Sequence, residues 1–145
     1  MVEASGFSDF EKQAMKDRAL ELRREQENKR SKKNPEADVL EAIAEMPSES
    51  AYLAAKIHAL VYQIVPEVKC KTWYGMPAYL NSDGKVVVFF QDGVKYQSRY
   101  CTLGFQDAAQ LDDGAFWPTG YALTDWNDAI EQQITQLIKK AFAVK

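Results

Sequence analysis

Trp73-Tyr74-Gly75-Met76-Pro77-Ala78-Tyr79 is the stretch on which the fold turns. Two large aromatics run into a glycine, a methionine and a proline, and a third aromatic follows. The composition begins a strand and interrupts it almost at once. Gly75 can take backbone angles that other residues avoid, and Pro77 removes a donor from any sheet ladder. The expected strand covers residues 69–74 and continues over 78–80 beyond the break. The bulky rings on either side need a core or a ligand to cover them.

Toward the C-terminus the pattern stays β. Asn81-Ser82-Asp83-Gly84 is a turn, with Asp-Gly the strongest short hairpin signal available. Lys85-Val86-Val87-Val88-Phe89-Phe90 is a nearly continuous apolar run, which predicts a central strand covered on both faces. Asp92-Gly93 marks a second turn, and residues 94–97 and 99–105 read as further strand. Links this short predict an antiparallel meander. Residues 106–113 predict a short helix or turn closed by Gly114. Pro118 makes residues 115–123 an edge strand or an irregular segment. Thr124 is the expected cap of a final helix, with Asp125 and Asp128 placed well for its dipole. Trp126, Ile130, Ile134, Leu137 and Ala141 form its inner face, and Lys139, Lys140 and Lys145 crowd its end.

Toward the N-terminus the period becomes helical. Leu53, Ile57, Leu60, Val61 and Ile64 mark a helix that Ser48 or Ser50 can cap and Pro66 stops. Val39, Leu40, Ile43 and Met46 supply the buried face of a shorter one between Pro35 and Pro47. His58 lies on the longer helix with no Ser, Cys or acidic pair in reach by spacing, so a packed or surface role is expected. Ser8 and Glu11 have the capping-box spacing, which predicts a helix from near Asp9. Its thin apolar stripe is Phe10, Ala14, Met15, Ala19 and Leu22. Between Arg23 and Lys33 there is no apolar residue. That part reads as a solvated helix end or linker, with no interleaved aromatic to favour nucleic acid. Residues 1–6 are expected to be loose.

Helices, then strands, then a helix predict an α+β fold: N-terminal helices, a central antiparallel β-sheet meander, and a C-terminal helix packed on the sheet. Residues 1–34 form an N-terminal helical arm with a basic rear, and residues 35–145 the α+β domain. The arm holds nine Lys/Arg against seven Asp/Glu, and the body nine against fourteen. With a net charge of −3 there is no global pull toward nucleic acid. Cys70 and Cys101 sit among apolar neighbours, where buried, inert thiols are the common case. Two cysteines and one histidine cannot furnish a closed structural zinc site. No apolar signal region opens the chain and no run approaches a membrane span, so a cytoplasmic protein with no membrane partner is expected.

The Trp73–Tyr79 block, followed by Gly84-Lys85-Val86-Val87-Val88-Phe89-Phe90, resembles the YdhG-like family, also called DUF1801. Arg99-Tyr100 with Leu103-Gly104-Phe105, and Leu111-Asp112-Asp113-Gly114-Ala115-Phe116-Trp117-Pro118, look like later blocks of an extended bacterial branch. That branch carries an added N-terminal helix. The resemblance covers residues 37–143. Some relatives are described as frataxin-like iron chaperones, so it implies iron as a candidate cargo. Iron delivery wants hard carboxylate oxygens. Asp112 and Asp113 lead the candidates, ahead of Asp107, Asp125 and Asp128. Read from residues alone, Asp112-Asp113-Gly114 is equally a turn.

There is no Gly-rich phosphate loop, nucleophile elbow or His-rich metal motif, so nothing argues for catalysis. The aromatics between residues 73 and 121 are richer in information. Most must be core, yet Tyr and Trp tips need partners, and Arg99 puts a cation among them. The expected site is a concavity where residues 73–79 meet the strand carrying Arg99. Tyr74, Met76 and Tyr79 would wall it, Trp117 would cover one side, and Arg99 would hold a carboxylate or phosphate. The rival is a wholly structural role, with Arg99 paired to a nearby acid. The expected function is a binding module for a small anionic ligand or a protein partner. The alternatives are an iron-binding chaperone and an enzyme without a recognised motif.

Overall fold

The computed structural model describes residues 9–31 and 35–144. The expected cap at Ser8, the loose residues 1–6 and Lys145 lie outside them.

Tyr74 and Gly75 both have positive φ, 51° and 79°. Two successive positive values are the signature of the type I′ turn, whose twist matches the strands it joins. The chain therefore reverses at this point. Strand β1 (Lys69–Trp73) and strand β2 (Met76–Leu80) are antiparallel, with Trp73 opposite Met76 and Lys69 opposite Leu80. This corrects the expectation of one strand interrupted and resumed. Pro77 stands opposite Thr72, one place before β2 begins to pair with β3 at Ala78, where a missing N–H is tolerated.

Strand β3 (Val86–Gln91) lies between β2 and β4 (Cys101–Phe105), and β5 (Gly120–Leu123) closes the far edge. The order β1-β2-β3-β4-β5 is an unbroken antiparallel meander, as the short links predict. The Asn81 side-chain oxygen accepts the N–H groups of Asp83 and Lys85 at 3.0 Å each, and Gly84 closes that turn at φ 79°. Cross-strand register aligns Cys70, Tyr79, Val88 and Phe105 on one face of the sheet. These join Leu53, Ile57 and Val61 of α3 (Ser48–Ile64) and Ile134 and Ile138 of α4 (Asp128–Ala141) in one core. α2 (Pro35–Ala44) lies against β1 and β2 and beside α3, burying Val39 and Ile43. On the other face Phe89 stands opposite Gly104, and its ring fills the space where a Cβ would be. Trp73 packs against that ring, with centroids 5.4 Å apart. Both rings stay half-buried, so β3 is central but not equally covered on its two faces.

Several local expectations are corrected. Leu40 of α2 is exposed. α3 starts after Pro47 with no side-chain cap. The cap of α4 is Asn127, not Thr124: its Oδ1 accepts the Ile130 N–H at 2.9 Å. Residues 93–97 form turns rather than strand, with Ser98 N–H bonded to the Gly93 carbonyl at 2.8 Å. Among the described residues no helix is long and apolar enough to cross a membrane. Both cysteines are free and buried, as their neighbours predict.

The largest departure concerns α1 (Asp9–Ser31). Met15 and Leu22 of its apolar stripe point to solvent, and so does Leu20, while Glu21 is 6% exposed. The helix turns a charged face inward.

Candidate functional site

Asp17, Arg18, Glu21, Arg24 and Glu25 share one side of α1, since residues three and four apart are neighbours on a helix. That side meets the β1–β2 hairpin. Glu21 Oε1 accepts the N–H of Gly75, the second residue of the tight turn. The Arg18 guanidinium stands 4.9 Å from the centre of the Tyr74 ring. Lys71 Nζ on β1 reaches Glu25 at 3.3 Å. Arg24 lies 3.6 Å from Asp38 and 3.7 Å from Glu41, both on α2. The segment from Arg23 onward, which the sequence reads as a solvated helix end or linker, is thus partly committed to the body by charge.

The other side of the hairpin tip is held by the loop after β3. Lys95 Nζ pairs with Asp17 Oδ2 at 2.7 Å, and Tyr96 O–H donates to the Tyr74 carbonyl at 2.8 Å. A Cβ on Gly75 would fall 2.4 Å from Lys95 Nζ, so glycine serves here both for its positive φ and for the close approach of that ammonium. Burial, with Asp17, Glu21 and Asp92 nearby, pushes the Tyr96 phenol up to about 12, which keeps it a neutral donor. The loop itself is anchored by Asp92. Its Oδ1 accepts Ser50 O–H from α3 at 2.6 Å and Val94 N–H at 3.0 Å.

These elements enclose a cavity of about 490 Å³, within the range of small-ligand sites. α1, α2, the hairpin tip and the loop from Asp92 to Tyr96 each supply a wall. Leu20, Ala42, Met46, Met76 and Val94 give it apolar surface. Its charged lining is lopsided. Asp17, Glu21, Asp38, Glu41, Glu45 and Asp92 face only Arg24 and Lys95. Glu21 and Asp92 are the buried members, and Asp92 is satisfied by Ser50 and Val94 whereas Glu21 is bonded through Oε1 alone. Its Oε2 has no hydrogen-bond partner. Burial pushes its carboxyl above the usual range, and Asp17 and Glu25 act in the same direction. The Gly75 N–H and Arg18 oppose them. Oε2 itself is shielded from solvent, and Arg18 Nη1, one turn away on α1, is likewise buried without a hydrogen bond. A buried carboxyl with a raised pKa in a residue that lines a cavity is an arrangement that functional sites favour.

A second polar cluster lies inside the core. His58 Nε2 is 2.8 Å from Glu36 Oε2, and His58 Nδ1 is 2.9 Å from the Tyr79 hydroxyl. Burial holds the Tyr79 phenol well above its ordinary value, so Tyr79 keeps its proton, and with a neutral His58 ring its O–H donates to Nδ1. Nε2 then carries hydrogen and donates to Glu36. The acidic partner that spacing could not supply comes from α2. Tyr62 O–H lies 3.2 Å from Cys70 Sγ beside this cluster. The group joins Glu36 of α2, His58 of α3 and Tyr79 of β2, and so ties the two helices to the sheet.

The five residues expected to converge do not. Met76 alone lines the cavity. Tyr79 is wholly buried in the core because it stands on the opposite face of β2 from Met76. Tyr74 is in the turn, beneath Arg18 and outside the lining. Trp117 packs against the main core. Arg99 is exposed, 5.4 Å from the Tyr100 ring, beside a separate hollow of about 150 Å³ that Glu49 and Ser50 of α3 share. Asp112 and Asp113 are exposed, and among the described residues no group of three or more His, Cys, Asp or Glu is placed to hold a metal. Glu21 and Asp17 have their signal in the charged positions 17, 18, 21, 24 and 25 of α1, three and four apart beside the apolar stripe, whereas Lys95, in the loop after β3, carries no such local signal.

A scan against protein-family models finds none that matches the chain, and comparison with curated proteins and with solved structures finds no match either.

Proposed function

We propose that this chain is a small-ligand-binding module whose ligand occupies the cavity between α1, α2 and the Tyr74–Gly75 turn. The observation that carries the reading is Glu21: a carboxyl 6% exposed, on the wall of a cavity of about 490 Å³, with Oε2 unpartnered. Burying such a group without a partner is unfavourable, and a site that tolerates it commonly has a use for it. The YdhG-like reading belongs to the same proposal, because the block that suggests it runs through Gly75 and Met76, which line the cavity.

The test is mass spectrometry of small molecules carried by the protein purified from cells, wild type against Ala42→Trp. Ala42 lines the cavity, and an indole there would fill much of it. The expected result is a molecule bound to wild type and lost from the variant, with circular dichroism unchanged. An equal complement of bound molecules in the two proteins would overturn the assignment. So would a wild type that carries none and shows no saturable response to a fragment library at the cavity amides.

A further inference from the structure

The two edges of the sheet differ in kind. β1 has α2 lying against it and carries Lys69 and Lys71, the second paired with Glu25 of α1. Cover and lysines are the ordinary means of keeping an edge from pairing with another chain. β5 has neither: it pairs with β4, no helix lies against it as α2 does against β1, and no charged residue falls between Asp113 and Asp125. The Phe105 N–H donates to the Thr119 carbonyl at 2.8 Å, which sets the alternation along β5. Tyr121 and Leu123 turn their backbone groups toward β4, opposite Leu103 and Cys101, and Gly120 and Ala122 turn theirs outward. Both outward residues are exposed, and a Cβ on Gly120 would meet nothing within 4 Å. Just ahead of this edge Phe116 is 93% exposed, while Trp117 beside it packs against the core.

We propose that β5 is an interface with a second copy of this chain, the two β5 strands pairing antiparallel about a two-fold axis at Tyr121. In that register Gly120 of each copy stands opposite Ala122 of the other, and each pair exchanges both of its N–H···O bonds. Phe116 and Trp126 lie equally far from Tyr121 along the chain, on opposite sides of it. The exposed ring of one copy therefore comes beside the half-buried Trp126 of the other. Charge selects the same partner. Arg99 shares a hollow with Leu123 and Thr124, at the end of β5, and forms no ion pair among the described residues. Antiparallel pairing brings to that end the segment of the second copy that holds Asp112 and Asp113, both exposed. Each copy is thus neutral along the shared edge and offers a cation where the other offers acids. A strand of four residues supplies few backbone bonds, so the pairing is weak and reversible, with the aromatic rings adding to it. None of these residues lines the cavity beside α1, so pairing and ligand binding are independent.

Sedimentation equilibrium from about 10 μM to about 1 mM measures the pairing, expected as a monomer–dimer equilibrium with its Kd inside that range. Ala122→Pro removes an outward N–H and none that bonds β4, and should weaken the dimer at least about tenfold, whereas Ala122→Ser should leave it unchanged. Arg99→Glu should weaken it too, and more at low salt than at high. Hydrogen exchange in wild type guards against a misfolded variant. Gly120 and Ala122 should exchange more slowly as the concentration rises, with Tyr121 and Leu123 protected throughout. A protein that stays monomeric across the range would overturn the proposal. So would a dimer whose formation leaves exchange at Gly120 and Ala122 unchanged. A monomer in which those two amides slow only when cell extract is added would assign the edge to a strand of another protein, and would overturn it as well.

Discussion

Replacing Glu21 is the sharpest test of how α1 is held. Glu21→Ala removes the acceptor of the Gly75 N–H at the hairpin tip. A buried donor left without a partner costs about 1–3 kcal/mol. Against this, removing a buried carboxylate relieves the desolvation that its charged form suffers. The balance depends on pH, and its sign follows from linkage. Burial raises the Glu21 pKa above its unfolded value, so the native state holds this proton more tightly. The stability Glu21 contributes is fully present below the ordinary glutamate range and is lost as the pH climbs through the raised value. The Ala variant should therefore show its full deficit of about 1–3 kcal/mol near pH 4, and a smaller one near pH 8. In a chain of this length each kcal/mol moves Tm by roughly 2–4 °C. Glu21→Gln keeps an acceptor and mimics the protonated acid. It should match wild type at the low pH and equal or exceed it at the high one. Urea unfolding at the two pH values, with hydrogen exchange at Gly75, measures all of this. An Ala variant as stable as wild type at both, with unchanged exchange at Gly75, would mean that α1 is not docked through Glu21. A Gln variant weaker than Ala would refute the account of the carboxyl as a buried acceptor.

Two further outcomes test the elements around the cavity and in the core. Gly93→Ala should cost about 1–3 kcal/mol or more, because a Cβ there would lie 2.3 Å from the Tyr100 carbonyl oxygen and 2.6 Å from its carbon, backbone that cannot step aside; a thermal midpoint within a degree or so of wild type would sink this. Tyr79→Phe should cost about 1–3 kcal/mol by leaving His58 Nδ1 without its donor, and adding His58→Leu should recover part of that loss. A double-mutant cycle that shows no coupling between the two positions would contradict the hydrogen-bonded pair.

The sheet was legible because its cues are local. Asp83-Gly84 fixes a turn through its own backbone chemistry, and the apolar run from Val86 to Phe90 needs no distant partner to read as a central strand. The Tyr74–Gly75 reversal was not legible for a physical reason. A tight two-residue turn puts positive φ on both residues, and a bulky tyrosine at φ 51° is a choice that no propensity predicts. Reading the segment as one interrupted strand also mixed the two faces of β2, which placed Tyr79 and Met76 on a common wall. They alternate, so one is core and the other lines the cavity. Arg99 was misplaced by the same kind of error: once residues 93–97 turn instead of running on as strand, Arg99 lies at the end of the sheet where α3 begins. His58 lacked a visible acid because Glu36 belongs to another helix, 22 positions away.

α1 is the instructive failure, since the apolar-stripe rule selected the wrong side of it. The rule assumes that burial of hydrocarbon docks a helix. Here Met15 and Leu22 stay in solvent, and the helix meets the body through Glu21, Asp17–Lys95, Glu25–Lys71 and Arg24 with α2. Such contacts are individually weak, about 0–1 kcal/mol for pairs open to water, and the buried carboxyl works against them. A helix held this way is docked by a narrow margin, and the cavity exists only while it is docked, because α1 forms one of its walls. A ligand that binds the docked arrangement and not the open one stabilises it by RT ln(1 + [L]/Kd), about 2.7 kcal/mol at one hundred times Kd. That is comparable to the whole set of ion pairs. Binding and the docking of α1 are then one equilibrium. The charged inward face, costly as a means of packing a helix, is suited to a wall that a ligand completes.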